Sequence, residues 1–226
     1  MSVVDMLSRV TLFSRLTGQE LEAVAGKLGK RTFGKDTIIF HKGSPGRSLY
    51  IIESGRVRIF LLSRSGQEIW VNVYGPGDVF GELALLDGLP RSAGAMVLEK
   101  TVVYTLYRDD FSACVEAYPR MARSIIAELC ARLRYTTDYV EHLAFLDASS
   151  RVAVKLLELV GGDGLPAEST EIDLQLTQTE LAFWIGARRE TVNKVLASYR
   201  EQGLIDVDGR KITILDRAGL ERSIRY

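Results

Sequence analysis

Phe80-Gly81-Glu82-Leu83-Ala84-Leu85-Leu86, followed after a short loop by Pro90-Arg91-Ser92-Ala93, says more about this chain than any other segment. An arginine offers a planar fork of donors that can clamp a phosphate diester. A glycine lets backbone N–H groups approach the phosphate oxygens, and a glutamate can accept a hydrogen bond from a ribose hydroxyl. Together these groups suit a cyclic nucleotide, one ligand held at two of its parts.

Outward from that segment the texture is β. The runs 37–40, 49–52, 57–62 and 69–74 are β-branched and aromatic, and turn clusters at 43–46, 53–55, 63–66 and 75–78 separate them. Turn signals recurring at this spacing predict a small antiparallel barrel or sandwich, with the segment lodged between two of its strands. Gly43, Gly46, Gly55, Gly75 and Gly77 read as turn residues at positive φ, and only Gly81 is expected to touch a ligand. Ahead of the strands, residues 1–28 carry helical periodicity, with Thr17 and Glu20 spaced as a capping box.

After Tyr118-Pro119 a helical pattern runs to about Phe145. Ala122, Ile126, Leu129, Leu133, Thr136, Val140 and Leu143 recur in alternating steps of four and three, a heptad seam flanked by charges such as Arg132, Arg134 and Asp138. Two readings are open: an amphipathic helix lying on its own barrel, or two identical helices paired in a parallel dimer. The alternating seam fits the dimer better. Thr136, with Thr137 beside it, interrupts the seam with a hydroxyl that either fixes helix register or meets a ligand. Asp147 is placed to cap a new helix near Ser149, and a domain boundary belongs there.

The C-terminal part opens with an amphipathic helix over 150–160, stopped by Gly161-Gly162-Asp163-Gly164-Leu165-Pro166. Residues 178–196 then follow a helix-turn-helix pattern. Ala182 is small at the crossing, Gly186 supplies the turn, and Leu181, Ile185, Val192 and Val195 form the shared apolar face. The second helix should expose Arg188, Arg189, Glu190, Asn193 and Lys194, which reads either as a solvated face or as a base-reading set. Arg188, Arg189, Lys194 and Arg200 against Glu190 give a local charge of +3 within a chain of zero formal net charge. A hairpin through Asp208-Gly209, with Arg210 and Lys211 able to meet phosphates, completes a wing.

The segment FGELALL…PRSA resembles the phosphate-binding cassette of cyclic-nucleotide-binding domains, and nearly the whole chain resembles the CRP/FNR regulators, in particular the cyclic-AMP receptor proteins among them. The resemblance implies an α+β architecture: an antiparallel β-roll over 1–118, a dimerisation helix and hinge over 119–147, and a winged helix-turn-helix over 148–226. By the same resemblance Arg91 and Ser92 take the cyclic phosphate. Gly81 and the Leu83 backbone surround phosphate and ribose, and Glu82 takes the ribose 2′-OH. Thr136 and, from the other subunit, Thr137 meet adenine, while Ile59 and Val71 wall the base. On DNA it gives Arg189, Glu190 and Lys194 base-contacting positions, joined by Arg188 and Asn193 on the same helix. Thr177 and Thr191 are candidate phosphate contacts, although Thr177 equally suits an N-cap. Lys194 and Asn193 depart from the pattern of the family, so the operator is expected to differ at the corresponding base. The implied partners are cyclic AMP as an allosteric ligand, double-stranded DNA with a two-fold symmetric operator, a second copy of the chain and RNA polymerase.

Composition bounds the remaining classes. With 226 residues and 46% hydrophobic content the chain can bury its own cores, and its apolar runs are too short for a membrane span. Asp5 stands where a signal peptide would carry basic charge, so the cytoplasm is the expected location. Cys114 and Cys130 match no metal or redox spacing and read as two small buried hydrophobes. His41 and His142 stand alone, no nucleophile–base pair is evident, and neither a metal site nor an enzyme is expected. A regulator answering to cyclic GMP, a cyclic dinucleotide or no ligand, and a nucleotide sensor acting through protein contacts, stay as alternatives.

Overall fold

The computed structural model describes residues 2–161, 171–173, 177–209 and 211–225. The chain divides into two compact units, 1–66 with 71–135 and 67–70 with 136–226.

The first unit opens with α1 (Val3–Arg9), a 3-10 turn (Thr11–Phe13) and α2 (Gly18–Ala25). The Thr17 N–H donates to the Glu20 carboxylate at 2.6 Å, and the Glu20 N–H donates back to the Thr17 hydroxyl at 3.4 Å, the capping box that the sequence predicts. The strands follow: β1 (Gly29–Phe33), β2 (Ile38–Phe40), β3 (Ser48–Ser54), β4 (Val57–Leu62), β5 (Glu68–Tyr74), β6 (Val79–Phe80), β7 (Gly94–Val97) and β8 (Thr101–Tyr107). They form two four-stranded sheets ordered β1-β8-β3-β6 and β2-β7-β4-β5. Between the sheets Ile52, Val57, Phe80, Ala95, Val97 and Val103 are buried, while Leu7, Phe13, Leu49 and Leu106 form a second core beneath the N-terminal helices. The antiparallel strands predicted from turn spacing as a small barrel or sandwich are therefore present, as the two sheets of the β-roll that the resemblance implies, with the cassette between β6 and β7.

Gly43, Gly55 and Gly77 have positive φ as expected, at +83°, +87° and +91°, but Gly46 and Gly75 do not. Gly46 serves a different purpose: a Cβ there would lie 2.2 Å from the Ala84 Cβ, so the chain needs glycine for close approach to the cassette.

A helix that the sequence reading did not place, α4 (Arg108–Ala117), follows β8 directly. Its N-cap is Tyr107 with no side-chain cap bond, so the usual start signal is missing. Helix α5 (Pro119–Phe145) has the bounds expected from Pro119 and Phe145. Cys114 is buried, but Cys130 on α5 is exposed, which corrects the reading of both as core residues.

In the second unit α6 (Ala148–Gly161) starts just after Asp147, whose carboxylate accepts from the Ser150 N–H at 2.7 Å. The expected stop lies, beyond Gly161, outside the described residues. A strand β9 (Glu171–Asp173), the helices α7 (Gln178–Ile185) and α8 (Arg189–Glu201), strands β10 (Ile205–Asp208) and β11 (Lys211–Ile214), and α9 (Arg217–Arg222) complete it. The wing is a three-stranded sheet ordered β10-β11-β9 rather than a bare hairpin. Asp208 pairs with Lys211 as a strand residue rather than standing in the turn, and Arg210 lies outside the described residues.

Candidate functional site

The cassette is built where β6 ends. Gly81 adopts φ +81°, a conformation glycine takes without strain, and a Cβ there would approach the Arg91 Nη1 to 2.6 Å. The chain then enters the short helix α3 (Leu83–Leu86) and returns through Arg91 into β7. Arg108, at the first position of α4, donates to the Gly46 carbonyl at 2.7 Å and to the Ala84 carbonyl at 2.5 Å, pinning α3 from behind.

Arg91 and Glu82 are 5% and 3% exposed, unusual burial for charged side chains. The Arg91 guanidinium donates to the carbonyls of Gly81 at 2.5 Å and Ser48 at 2.6 Å, and lies 4.2 Å from the ring centre of Phe40. Its Nε meets no acceptor among the described residues. Glu82 accepts from Arg132 of α5 at 2.8 Å through one carboxylate oxygen, while the other, also buried, has no hydrogen-bond partner among the described residues. Buried polar atoms are normally hydrogen-bonded, so two orphans of opposite character in one cassette mark a place shaped for something else. An anion can accept from the first and a hydroxyl can donate to the second, so the residues fit a cyclic nucleotide.

Burial raises the Glu82 carboxyl despite the opposing pull of Arg132. Burial also lowers the Arg91 guanidinium, against the favourable charges of Tyr50 and Glu82. Both groups thus carry an electrostatic cost that a polar ligand would relieve. Of the remaining expected residues, Leu83 is 42% exposed and Ser92 is exposed beside Arg91. Thr136 and Thr137 are exposed on α5, and Ile59 and Val71 are half-buried on β4 and β5.

Arg132 was read only as a charge flanking the seam. Its position four residues before Thr136 put it one helical turn away on the same face, a signal that spacing could have supplied. The structure gives it three tasks, in each of which it donates: to the Glu82 carboxylate at 2.8 Å, to the Val79 carbonyl at 2.5 Å and to the Glu128 carboxylate at 2.9 Å. Burial opposes its charged form, but Glu82, Tyr74 and Glu128 outweigh that and raise its pKa.

In the second unit α7 begins with a capping box. The Thr177 N–H donates to the Glu180 carboxylate at 2.5 Å, and its hydroxyl accepts from the Glu180 N–H at 3.2 Å. The N-cap reading of Thr177 is thereby present in the structure. Gly186 ends α7 at φ +64°, and its N–H donates to the Ala182 carbonyl. Leu181, Ala182, Ile185 and Val192 are buried as expected. Val195 is only half-buried, and Leu196 and Tyr199 continue the packed stripe instead.

Arg188, Arg189, Glu190 and Lys194 are exposed and Thr191 is half-buried. Asn193 departs from the expectation of an exposed face: it is half-buried and its side-chain oxygen is sealed from solvent. Lys211 at the wing is exposed.

Comparison with known proteins agrees with this division of labour. Residues 30–118 match the cyclic nucleotide-binding domain and residues 150–223 the Crp-like helix-turn-helix domain. The CRP-like cAMP-activated global transcriptional regulator of Mycobacterium tuberculosis is 32% identical over 98% of this chain and 99% of its own length. The cyclic AMP receptor protein of Thermus thermophilus is 34% identical over 93% of this chain and 94% of its own. The c-di-GMP responsive global regulator CLP of Xanthomonas campestris shares the fold, with a TM-score of 0.78 at 23% identity over 88% of this chain and 99% of its own. A buried cassette with unpaired polar atoms, a capped helix-turn-helix and full-length relatives converge on one conclusion: the chain belongs to the CRP/FNR family of DNA-binding transcription regulators.

Proposed function

We propose that this regulator works as a homodimer switched by cyclic AMP. The observation that carries the reading is the pair of buried orphans, Arg91 Nε and Glu82 Oε2, one suited to a phosphate oxygen and the other to a ribose hydroxyl. The printed names of the two relatives just described support cyclic AMP, and the c-di-GMP responsive regulator supplies the rival ligand.

In this reading Arg91 and Ser92 take the cyclic phosphate, Gly81 and Leu83 offer backbone to phosphate and ribose, and Glu82 takes the 2′-OH. Thr136, with Thr137 of the partner subunit's helix, meets adenine. Exposed Ile126, Leu133 and Val140 on α5 support the pairing of two helices. Arg188, Arg189, Glu190 and Lys194 read base edges, Thr191 and Thr177 stand near phosphates, and Asn193 supports the reading helix from its flank. Nucleotide acts by binding one conformational state better, the state that sets two recognition helices about 34 Å apart, one turn of DNA.

Calorimetry with cyclic AMP, cyclic GMP and c-di-GMP, followed by operator selection with and without each, tests the proposal. Tight binding of cyclic AMP alone, together with nucleotide-dependent binding to a palindromic site, is expected. Preference for another nucleotide, or operator binding indifferent to all three, overturns it. Cyclic AMP binding without any DNA binding would favour a sensor acting through protein contacts.

A further inference from the structure

Four aromatic rings run through the first unit between the two arginines of the cassette. Phe40 on β2 and Tyr74 on β5 belong to opposite edge strands of the sheet β2-β7-β4-β5. Tyr50 and Phe80 are a cross-strand pair of the facing sheet. The rings succeed one another closely: Phe40 to Tyr50 at 6.0 Å, Tyr50 to Phe80 at 5.1 Å with planes 15° apart, and Phe80 to Tyr74 at 6.5 Å with planes 13° apart. A guanidinium closes each end, Arg91 at 4.2 Å from the Phe40 centroid and Arg132 at 4.9 Å from that of Tyr74.

Arrays of this kind have physical consequences. A guanidinium over a ring face is held by the quadrupole of the ring, yet the ring spends none of its N–H donors. Stacked rings bridging two sheets are among the stiffest packing a small barrel can offer. Phe40 therefore steadies Arg91 while leaving Nε open, and Tyr74 steadies Arg132 while its N–H groups hold Glu82. Burial pushes the Tyr74 phenol up to about 12, so the ring stays neutral beneath its cation.

We propose that this aromatic column is a template for nucleotide recognition, in which Phe40 is the positioning residue for the phosphate-reading arginine and Tyr74 for the Glu82–Arg132 pair that reads the sugar. The inference rests on the cyclic-nucleotide reading given above and adds to it two residues that never touch the ligand. It makes the ends of the column separable. Weakening the Tyr74 end should impair discrimination at the ribose, and weakening the Phe40 end should impair phosphate binding for every nucleotide alike.

The experiment is calorimetry of the full chain with cyclic AMP and with 2′-deoxy cyclic AMP. A site built to bond a hydroxyl rejects the analogue lacking it, so the wild-type chain should prefer cyclic AMP. Tyr74→Leu is expected to lower that preference by about tenfold, Tyr74→Phe to retain it, and Phe40→Leu to weaken both ligands by a similar factor of about ten with the preference intact. Arg132→Lys, which keeps the charge but cannot lie flat on a ring, should lose the preference as Tyr74→Leu does and serves if the leucine variant folds poorly. A general loss of stability would weaken both ligands together at either end and leave the preference alone, so at the Phe40 end the ring itself is the control: Phe40→Tyr keeps a ring face for Arg91 and should bind both ligands as the parent does, and equal weakening by Phe40→Tyr and Phe40→Leu overturns the role of Phe40. Unchanged preference in Tyr74→Leu or in Arg132→Lys overturns the template. Binding of neither ligand by the wild-type chain overturns the nucleotide reading itself, and the column as its template with it.

Discussion

Arg91 sits 5% exposed with one donor unanswered, and leaving such a donor buried costs roughly 1 to 3 kcal/mol. A protein retains that cost where a ligand offsets it. Arg91→Ala should remove a charge-assisted contact worth about 1.5 to 3 kcal/mol and weaken cyclic AMP by about ten- to a hundredfold. Calorimetry reads this directly, and an unchanged affinity would reject the phosphate role. Gly46 makes the complementary case, because it matters through what it lacks. A Cβ at 2.2 Å from the Ala84 Cβ and 3.3 Å from the Arg91 Cζ must displace either α3 or the guanidinium. Gly46→Ala is therefore expected to lower stability by about 1 to 3 kcal/mol, as overpacking does, and to weaken nucleotide binding as well. Thermal melting beside calorimetry checks both, and a variant as stable as the parent would show that the backbone at 46 yields freely.

Asp147 shows what a single residue does for an element. Its carboxylate accepts the Ser150 N–H at the start of α6, and that backbone bond holds its pKa below the usual 3.8. A depressed folded pKa means that the contribution is complete above the unfolded value and is withdrawn as pH falls through the folded one. Asp147→Ala should cost about 1 kcal/mol at neutral pH, and the gap to the parent should close in acid. Asp147→Asn should show little of the loss and none of the pH dependence, as denaturant titrations at both pH values would reveal. On α8, Arg189 at the first position is exposed. Arg189→Ala is expected to relax selectivity at one base by about 1 to 3 kcal/mol, whereas Lys211→Ala should weaken all sequences alike. Operator variants in a binding assay separate the two, and uniform weakening by Arg189→Ala would sink its base-reading role. Elements with strong local signals were legible in the sequence: Thr17 and Thr177 with a glutamate three residues on, Pro119 at the head of α5, the alternating strands around the cassette. Helix α4 was not, because Tyr107 gives no capping signal, and β9 was not, because its pairing with β11 spans residues far apart in sequence. Within the site, Glu82 and Arg91 stand out by their residue types and by the resemblance of their segment to a phosphate-binding cassette, and the structure buries both. Arg132 carried a spacing signal, one turn before Thr136, but its pairing with Glu82 arises only in the fold, and the roles of Arg108 and Gly46 were hidden because they arise only when α4 and a distant turn converge on the cassette.

At the scale of the whole molecule, α5 carries large apolar side chains that are exposed among the described residues. Ile126, Leu133 and Val140 are 60%, 68% and 56% exposed at consecutive seven-residue intervals. Exposed apolar side chains are ordinary when scattered, but a seven-residue period is the signature of a helix meeting a copy of itself. Leu133→Glu places a carboxylate in that seam, where in a parallel pair it faces its own image and neither charge can be solvated well. The variant should sediment as a monomer at concentrations where the parent is a dimer, with helicity by circular dichroism largely retained. The consequence for DNA follows from symmetry. In the dimer proposed above, two recognition helices joined by one seam would read two half-sites, and their binding free energies would combine only while the seam holds. Leu133→Glu should therefore weaken binding to a palindromic operator far more than to a single half-site, and its affinity should fall less steeply with salt because fewer phosphates are neutralised at once. A monomeric variant that still bound the palindrome as tightly as the parent would mean that each helix-turn-helix acts alone, and the helix seam would then have no part in reading DNA.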